Sequence, residues 1–188
     1  MGPTLASRLV PRSMAADALL VIGGSLLTAV AAQIAVPLWP VPITGQTLAV
    51  LIVGSTLGAA RGALSMLLYA ALGIVGLPVF ADSGSGLGAV LGPTGGYIVG
   101  FIASAALVGW IAESGRDRRF IHAAMSFAGG TVITFAFGLV WLAIALGTDL
   151  PTTLEYGLYP FVIGGVVKAA LGAGVVVAAW QFVGRYRK

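Results

Sequence analysis

Phe120–Leu146 is the most informative stretch of the sequence for the fold. It reads FIHAAMSFAGGTVITFAFGLVWLAIAL and contains no Asp, Glu, Lys or Arg from end to end. It exceeds the roughly 20 apolar residues that a helix needs to cross a bilayer. Lipid solvates apolar side chains, but it forces backbone N–H and C=O groups to pair within their own segment. The stretch also lacks the strict apolar–polar alternation of a membrane β-strand, so it predicts a transmembrane helix.

The composition of the whole chain agrees with this stretch. Of the 188 residues, 59% are hydrophobic and 9% are charged, whereas a soluble domain is usually about a quarter charged. A soluble core of this size has no room for so many apolar side chains. The absence of cysteine excludes disulfides and thiolate metal sites. We therefore expect an all-α integral membrane protein.

Six apolar runs predict a six-transmembrane-helix bundle, which we expect within a single domain over residues 14–188. The runs are 19–36, 46–57, 63–77, 95–112, 120–146 and 158–183. The second and third hold only about 15 apolar residues each, fewer than a straight crossing requires. Residues 1–13 are polar and basic, and they contain LVPRS, which resembles a protease-site remnant. We expect them to form a disordered tail.

The positions of the charges predict the orientation of the bundle. If the N-terminus is cytoplasmic, six spans place every cation of the loops and termini on the inside. The charged residues of the outer loops are then all acidic. The inner cations are Arg8, Arg12, Arg61, Arg116, Arg118, Arg119, Arg185, Arg187 and Lys188, and the outer acids are Asp82, Asp149 and Glu155. This positive-inside pattern predicts that both the N- and C-termini are cytoplasmic. It also accounts for the net charge of +4 without a nucleic-acid partner.

Lys168 is the one cation that this pattern leaves inside a span. It lies about ten residues into the last run, roughly 15 Å from its start, which predicts a position near the middle of the bilayer. Ionisable groups at this depth are expensive and usually functional. No span carries an Asp or Glu at its middle, so a carboxylate ligand entering from outside is the expected partner. The alternative is a lysine that snorkels to the membrane surface.

Polar and aromatic residues near the predicted outer ends of the helices suit a ligand pocket around Lys168. The ligand-binding candidates beside it are Trp39, Thr44, Gln46, Phe80, Asp82 and Tyr97. The last three flank a Gly-rich loop, and irregular backbone at membrane depth is tolerated where it lines a cavity. The alternatives are an interfacial belt for the aromatic residues and helix capping for Thr44 and Gln46.

The sequence contains no constellation for catalysis or metal binding. His122 is the only histidine, and one histidine cannot build a metal site. No nucleotide-binding motif is present, and no nucleophile has a plausible base. We expect neither an enzyme nor a bound metal or cofactor.

Five fragments carry a resemblance to a known family: PITGQTLAVL, RGALSMLLY, GLPVF and GPTGGY within residues 41–101, and PFVIGGVVKAAL at 160–171. Together they resemble the BioY family of biotin transporters, the substrate-binding S components of energy-coupling factor (ECF) transporters. The resemblance implies six helices, termini inside, and a biotin site open to the outer side of a prokaryotic cell membrane. It also implies two kinds of partner, a membrane coupling subunit and a pair of cytoplasmic ATPases.

The chain departs from the family pattern at the expected site. The family's last helix often reads Pro-Gly-Asp, two apolar residues and Lys; here Gly165 replaces the aspartate and Lys168 is retained. The loop around Gly95 lacks an arginine that some relatives place there. Asp82 and Gln46 are then the candidates to accept hydrogen bonds from the ligand's ureido N–H groups. A hydrogen bond from Lys168 to the ureido oxygen is the alternative to its pairing with the ligand's carboxylate.

The leading interpretation is a high-affinity biotin-binding subunit that separate subunits energise. In the resembled family the first helix contacts the coupling subunit, and Ser25 and Ala29 predict that another helix approaches that helix closely. The alternative is a self-sufficient secondary carrier for a small organic anion. No inverted repeat and no intramembrane carboxylate supports that alternative.

The charge pattern predicts which loops a membrane-impermeant thiol reagent reaches. In this cysteine-free chain, Gly86→Cys and Thr152→Cys should label from outside intact cells, and Ser114→Cys should label only after permeabilisation. Labelling of Ser114→Cys in intact cells would disprove the six-span arrangement.

Overall fold

The computed structural model describes residues 3–11 and 13–185, without the side chain of Arg185. Its helices are α1 (Leu5–Leu9), α2 (Met14–Ala32), α3 (Gln46–Leu57), α4 (Ala59–Ile74), α5 (Leu87–Leu91), α6 (Gly95–Glu113), α7 (Phe120–Leu146), α8 (Leu150–Gly157) and α9 (Val162–Arg185). Strands β1 (Ala35–Val36) and β2 (Ile43–Thr44) form a short antiparallel pair between α2 and α3. Three 3-10 turns cover Ala81–Ser83, Arg116–Arg118 and Tyr159–Phe161.

The prediction of an all-helical membrane protein is confirmed, and the six apolar runs correspond to α2, α3, α4, α6, α7 and α9. Three of these helices, α2, α6 and α7, are long and apolar enough to cross a membrane, as is the segment Leu150–Gly184, which contains α9. The helices α3 and α4 have 12 and 16 residues and are apolar but shorter. At 1.5 Å per residue they extend about 18 and 24 Å.

Several helix boundaries differ from the prediction: α2 begins at Met14 and not at residue 19, and α4 covers Ala59–Ile74 and not 63–77. The first long helix ends at Ala32 and not at residue 36, because residues 35 and 36 pair with β2. The last begins at Val162, after the 3-10 turn that contains Pro160. The predicted loop 147–156 contains α8. Asp149 caps the start of this helix, because its carboxylate accepts a hydrogen bond from Thr152 N.

Among the N-terminal residues that the structure describes, 3–11 contain a short helix where we expected a disordered tail. Thr4 caps α1, and Leu5 and Ala6 are buried. The helix packs against α3, so two apolar side chains within a polar segment are enough to dock it. Arg12 lies outside the described residues.

Glycines allow α6 to pack directly against the backbone of its neighbours. A Cβ on Gly96 would lie 2.5 Å from the carbonyl oxygen of Phe137, and one on Gly100 would lie 2.9 Å from that of Thr134. On another face, a Cβ on Gly109 would lie 2.3 Å from the carbonyl carbon of Gly58, the single residue between α3 and α4. Small residues at such contacts are the usual means of close helix packing in lipid.

The close helix approach predicted for the first run occurs within this chain. Ser25 is buried, and Ala29 is half-buried against the core. A Cβ on the adjacent Gly24 would lie 2.6 Å from the Ser65 hydroxyl of α4. This face of α2 is therefore occupied by α4, and Ser25 is not free to contact a partner subunit.

The described cations of the predicted cytoplasmic side gather at one end of the bundle, which we call the basic end. There Asp117 Oδ2 accepts hydrogen bonds from Ser55 Oγ at 3.2 Å and Trp180 Nε1 at 2.8 Å, which joins α3 to α9. The guanidinium of Arg118 stacks 4.6 Å from the centre of the Trp180 ring. Burial raises the pKa of Asp117, and the hydrogen bonds from Trp180 and Ser55 oppose that shift. Arg187 and Lys188 are outside the described residues.

The contact of α6 with the α3–α4 turn predicts how two glycine substitutions differ. Gly109→Ala should destabilise the protein by about 1–3 kcal/mol, because the new methyl group meets fixed backbone. The matched Gly129→Ala meets only Leu107 Cδ2 at 3.9 Å and should be neutral or stabilising. Thermal unfolding in detergent, followed by circular dichroism, measures both. Equal midpoints would contradict the packing argument.

Candidate ligand-binding site

A cavity of about 60 Å³ lies where the N-terminal ends of α3, α6 and α9 meet the middle of α7. Its lining is mostly apolar, with several neutral hydrogen-bonding groups and one amine. The lining residues are Val41, Pro42, Thr44, Gln46, Thr47, Phe80, Ala81, Thr94, Tyr97, Ile98, Phe101, Thr131, Phe135, Phe161, Gly165 and Lys168. Since the C-terminal parts of α3 and α9 meet at the basic end, the cavity is displaced toward the opposite end of the bundle.

Lys168 points into this cavity and bonds to neutral oxygens. Its Nζ donates to the carbonyl oxygen of Thr44 at 2.6 Å and to the hydroxyl of Thr47 at 3.2 Å. Among residues 3–11 and 13–185, no carboxylate lies within ion-pair distance of it. The structure thus places the amino group at the start of α3, within the cavity.

The helix that carries Lys168 starts later than predicted. Because α9 begins at Val162, Lys168 is the seventh residue of the helix, about 9 Å from its start. It therefore lies in the first third of α9. The difference arises because the prediction counts the 3-10 turn before Val162 as helix. The depth of Lys168 in the bilayer stays a prediction.

Gln46 and Thr44 line the cavity as predicted and are already engaged with each other. The Thr44 hydroxyl donates to Gln46 Oε1 at 2.7 Å, and Gln46 Nε2 donates to the Tyr69 hydroxyl at 2.5 Å. Tyr69, which the sequence analysis missed, is fully buried behind them. Gly45, and not Thr44, directly precedes α3. These bonds fix the start of α3, the element that receives Lys168.

Phe80 and Tyr97 also line the cavity, and both are held from behind. Phe80 makes an edge contact with Tyr69 at 5.4 Å between ring centres. The Tyr97 hydroxyl donates to the Gly157 carbonyl at 2.9 Å, and its ring meets Phe135 edge-on at 5.8 Å. Both are buried, so they form fixed walls and not the interfacial belt that was the alternative.

Trp39 and Asp82 do not line the cavity. Trp39 is 75% exposed and meets Tyr156 edge-on at 5.5 Å between ring centres. Asp82 is exposed in the Ala81–Ser83 turn with a φ of 53°. Gln33 holds this turn by donating to the Phe80 carbonyl and accepting from Ser83 N. Asp82 is thus exposed beside the cavity and is not one of its lining residues.

The sequence analysis missed the lining residues that come from α7. Thr131 and Phe135 are four residues apart, so they share one helix face. That spacing was visible in the sequence, but nothing in a run so uniformly apolar indicates which face meets the cavity. Thr47 was also missed, although it directly follows Gln46.

The arrangement suits a small ligand with an apolar body and an anionic group. Neutral hydrogen-bonding groups fix the orientation of such a ligand, and the amine of Lys168 attracts its charge. Among the described residues that line the cavity, none is a carboxylate or a histidine.

Comparison with known proteins places the chain among transport proteins. Residues 5–185 match the BioY family model. The chain is 39% identical over 153 residues to a probable biotin transporter BioY of Pyrococcus horikoshii, a match that covers 81% of this chain and 87% of that protein. It is 36% identical over 147 residues to the biotin transporter BioY of Thermotoga maritima, covering 78% and 85%.

A solved structure has the same fold. It is the S-component for biotin from an ECF-type ABC transporter, and it superposes with a TM-score of 0.80 at 23% sequence identity. The superposition covers 90% of this chain and 95% of that one.

The space around Gly165 predicts the effect of a carboxylate there. A Cβ on Gly165 meets only Thr131 Cγ2, at 3.6 Å, so Gly165→Asp should fit and pair with Lys168 one turn along α9. The pair should raise the thermal midpoint, and the rise should vanish in a Lys168→Met background. A double-mutant cycle should give a coupling of about 0.5–3 kcal/mol. A coupling near zero would show that the two side chains do not meet.

Proposed function

Because the chain belongs to the BioY family, we propose that it is the biotin-binding subunit of a vitamin uptake transporter in the cell membrane. The observation that carries the proposal is the amine of Lys168, which lies in a mostly apolar cavity with no carboxylate among the described residues to pair with it. The curated relatives are named as biotin transporters, which supports the same ligand.

The chemistry of biotin matches the groups around the cavity. Biotin combines a compact ureido bicycle with an anionic valerate chain. The apolar walls accept the bicycle, and the hydroxyl and amide groups of Thr44, Thr47 and Gln46 are candidates to pair with its ureido atoms. Lys168 then receives the carboxylate and exchanges the neutral Thr44 oxygen for a charged acceptor.

Binding of a carboxylate at Lys168 requires the amine to leave a bond that it already makes. Lys168 is a long, flexible side chain in the cavity wall, and its Nζ donates to the Thr44 carbonyl. Biotin therefore competes with the Lys168–Thr44 bond.

The proposal includes the topology and the source of energy. Six helices cross the membrane with both termini in the cytoplasm, and the cavity faces outward because it lies opposite the basic end. ATP hydrolysis is supplied by a pair of cytoplasmic ATPases through a membrane coupling subunit. The absence of any nucleotide-binding motif in the chain supports separate energising subunits.

Removing the amine of Lys168 tests the carboxylate interaction. Lys168→Met keeps most of the stem length and should weaken biotin binding about ten- to a hundredfold, the effect of losing a charge-assisted hydrogen bond of about 1.5–3 kcal/mol. Wild type should discriminate against biotinamide, whereas the Met variant should bind both ligands equally. Calorimetry or labelled-biotin binding on purified protein measures all four affinities.

Val167→Met is the matched control, because Val167 is an exposed neighbour on α9 that does not line the cavity. It should leave every affinity unchanged. Unchanged biotin affinity in Lys168→Met would remove the lysine from the site. Absence of biotin binding by the wild-type protein would disprove the proposed function itself.

A further inference from the structure

A second hollow, which we call the α7–α9 cleft, opens between the outer halves of these two helices. It measures about 450 Å³, against about 60 Å³ for the cavity. Its α7 side includes Val132, Ala136 and Leu139, and its α9 side includes Val162 and Val166. Val132 and Val166 are each 67% exposed, so the cleft faces the surroundings of the bundle and not its core.

The cleft adjoins the cavity. Both are lined by Thr131, Phe135, Phe161 and Gly165. Gly165 lies at the junction, and among the described residues a Cβ there would have one neighbour within 4 Å, at an ordinary contact distance. Packing thus does not require a glycine at this position. Its effect is to leave the junction of the two spaces free of a side chain on α9.

The junction at Gly165 lies beside the group proposed to hold the ligand's carboxylate. Lys168 and Gly165 are three residues apart on α9 and share a face of the helix. A ligand whose carboxyl end reaches Lys168 has that end next to Gly165. Any group attached to the carboxyl carbon is therefore directed toward the cleft.

The lining of the cleft restricts what can occupy it. Thr131 supplies its only polar side chain among the described residues that line it, and no charged side chain is present. A phospholipid would find room for an acyl chain there but no cation for its phosphate. A flexible apolar chain that is already anchored in the cavity needs no such partner.

We propose that the α7–α9 cleft is a second subsite, which binds an apolar chain attached to the carboxyl end of the ligand. The protein then takes biotin amides and esters with linear alkyl tails as well as free biotin. This inference rests on the proposed function, because the head of the ligand must first occupy the cavity.

A pair of neutral ligands tests the subsite without interference from the loss of the carboxylate. Biotin butylamide and biotin methylamide differ only by three methylene groups. The wild-type protein should bind the butylamide at least about tenfold more tightly, since even half-burial of three methylenes has an effect of this size. Calorimetry on the purified full chain in detergent measures the affinity ratio, with free biotin as the reference.

Two variants fill the cleft from opposite walls, and neither residue lines the cavity. Ala136→Trp acts from α7 and Val166→Trp acts from α9. Both positions are exposed, and each variant should reduce the ratio to about one while free biotin binds as in wild type. Ala145→Trp is the matched control, an exposed alanine of α7 outside the cleft, and it should keep the wild-type ratio.

The outcomes distinguish a failure of the proposed function from a failure of the subsite. If free biotin does not bind to wild type, the proposed function fails. If free biotin binds but the wild-type ratio is near one, the cleft is closed or filled by lipid, and the subsite is disproved. If the affinity ratio stays near ten in both tryptophan variants, the alkyl tail of the ligand binds outside the cleft, and the subsite is also disproved.

Discussion

The close backbone contact of α6 with its neighbours is the constraint on which the rest of the structure depends. In lipid, burying apolar surface between helices gains little, so tight van der Waals packing must hold the bundle together. Gly96 and Gly100 allow this packing against α7, and Gly109 allows it against the turn after α3. The ring of Tyr97, in turn, packs on Gly138, where a Cβ would lie 2.3 Å from the ring. The positions of the cavity walls consequently depend on these glycines, whose lack of a side chain allows the close contacts.

The amine of Lys168 is the main electrostatic cost within the bundle. An unpaired charge in an apolar environment is strongly unfavourable, and the structure reduces that cost with a carbonyl and a hydroxyl oxygen at the start of α3. That end of a helix carries a partial positive charge, so it is a poor place for a cation and a good place for an anion. A carboxylate that binds between Lys168 and α3 interacts favourably with both.

The sequence predicted the elements well and the site in part. The bounds of α3 and α7 agree with the predicted runs, because Gly58, Arg119 and Gly147 mark clear ends. Lys168, Gln46, Thr44, Phe80 and Tyr97 line one cavity, as expected for residues with polar or aromatic groups near the outer helix ends. Asp82 and Trp39 do not, because the orientation of a loop depends on tertiary contacts such as those of Gln33. Periodicity could not identify the α7 face at Thr131 and Phe135, since every face of that helix is apolar.

The contacts of Trp180 at the basic end have a mechanical consequence for α9. Its C-terminal half is held by the bond to Asp117 and the stacking of Arg118, whereas its N-terminal half borders the open cleft against α7. Lys168 lies 12 residues from Trp180, about 18 Å along the helix axis. Over that length, a small tilt of α9 about Trp180 would carry the amine sideways and leave the C-terminal end in place.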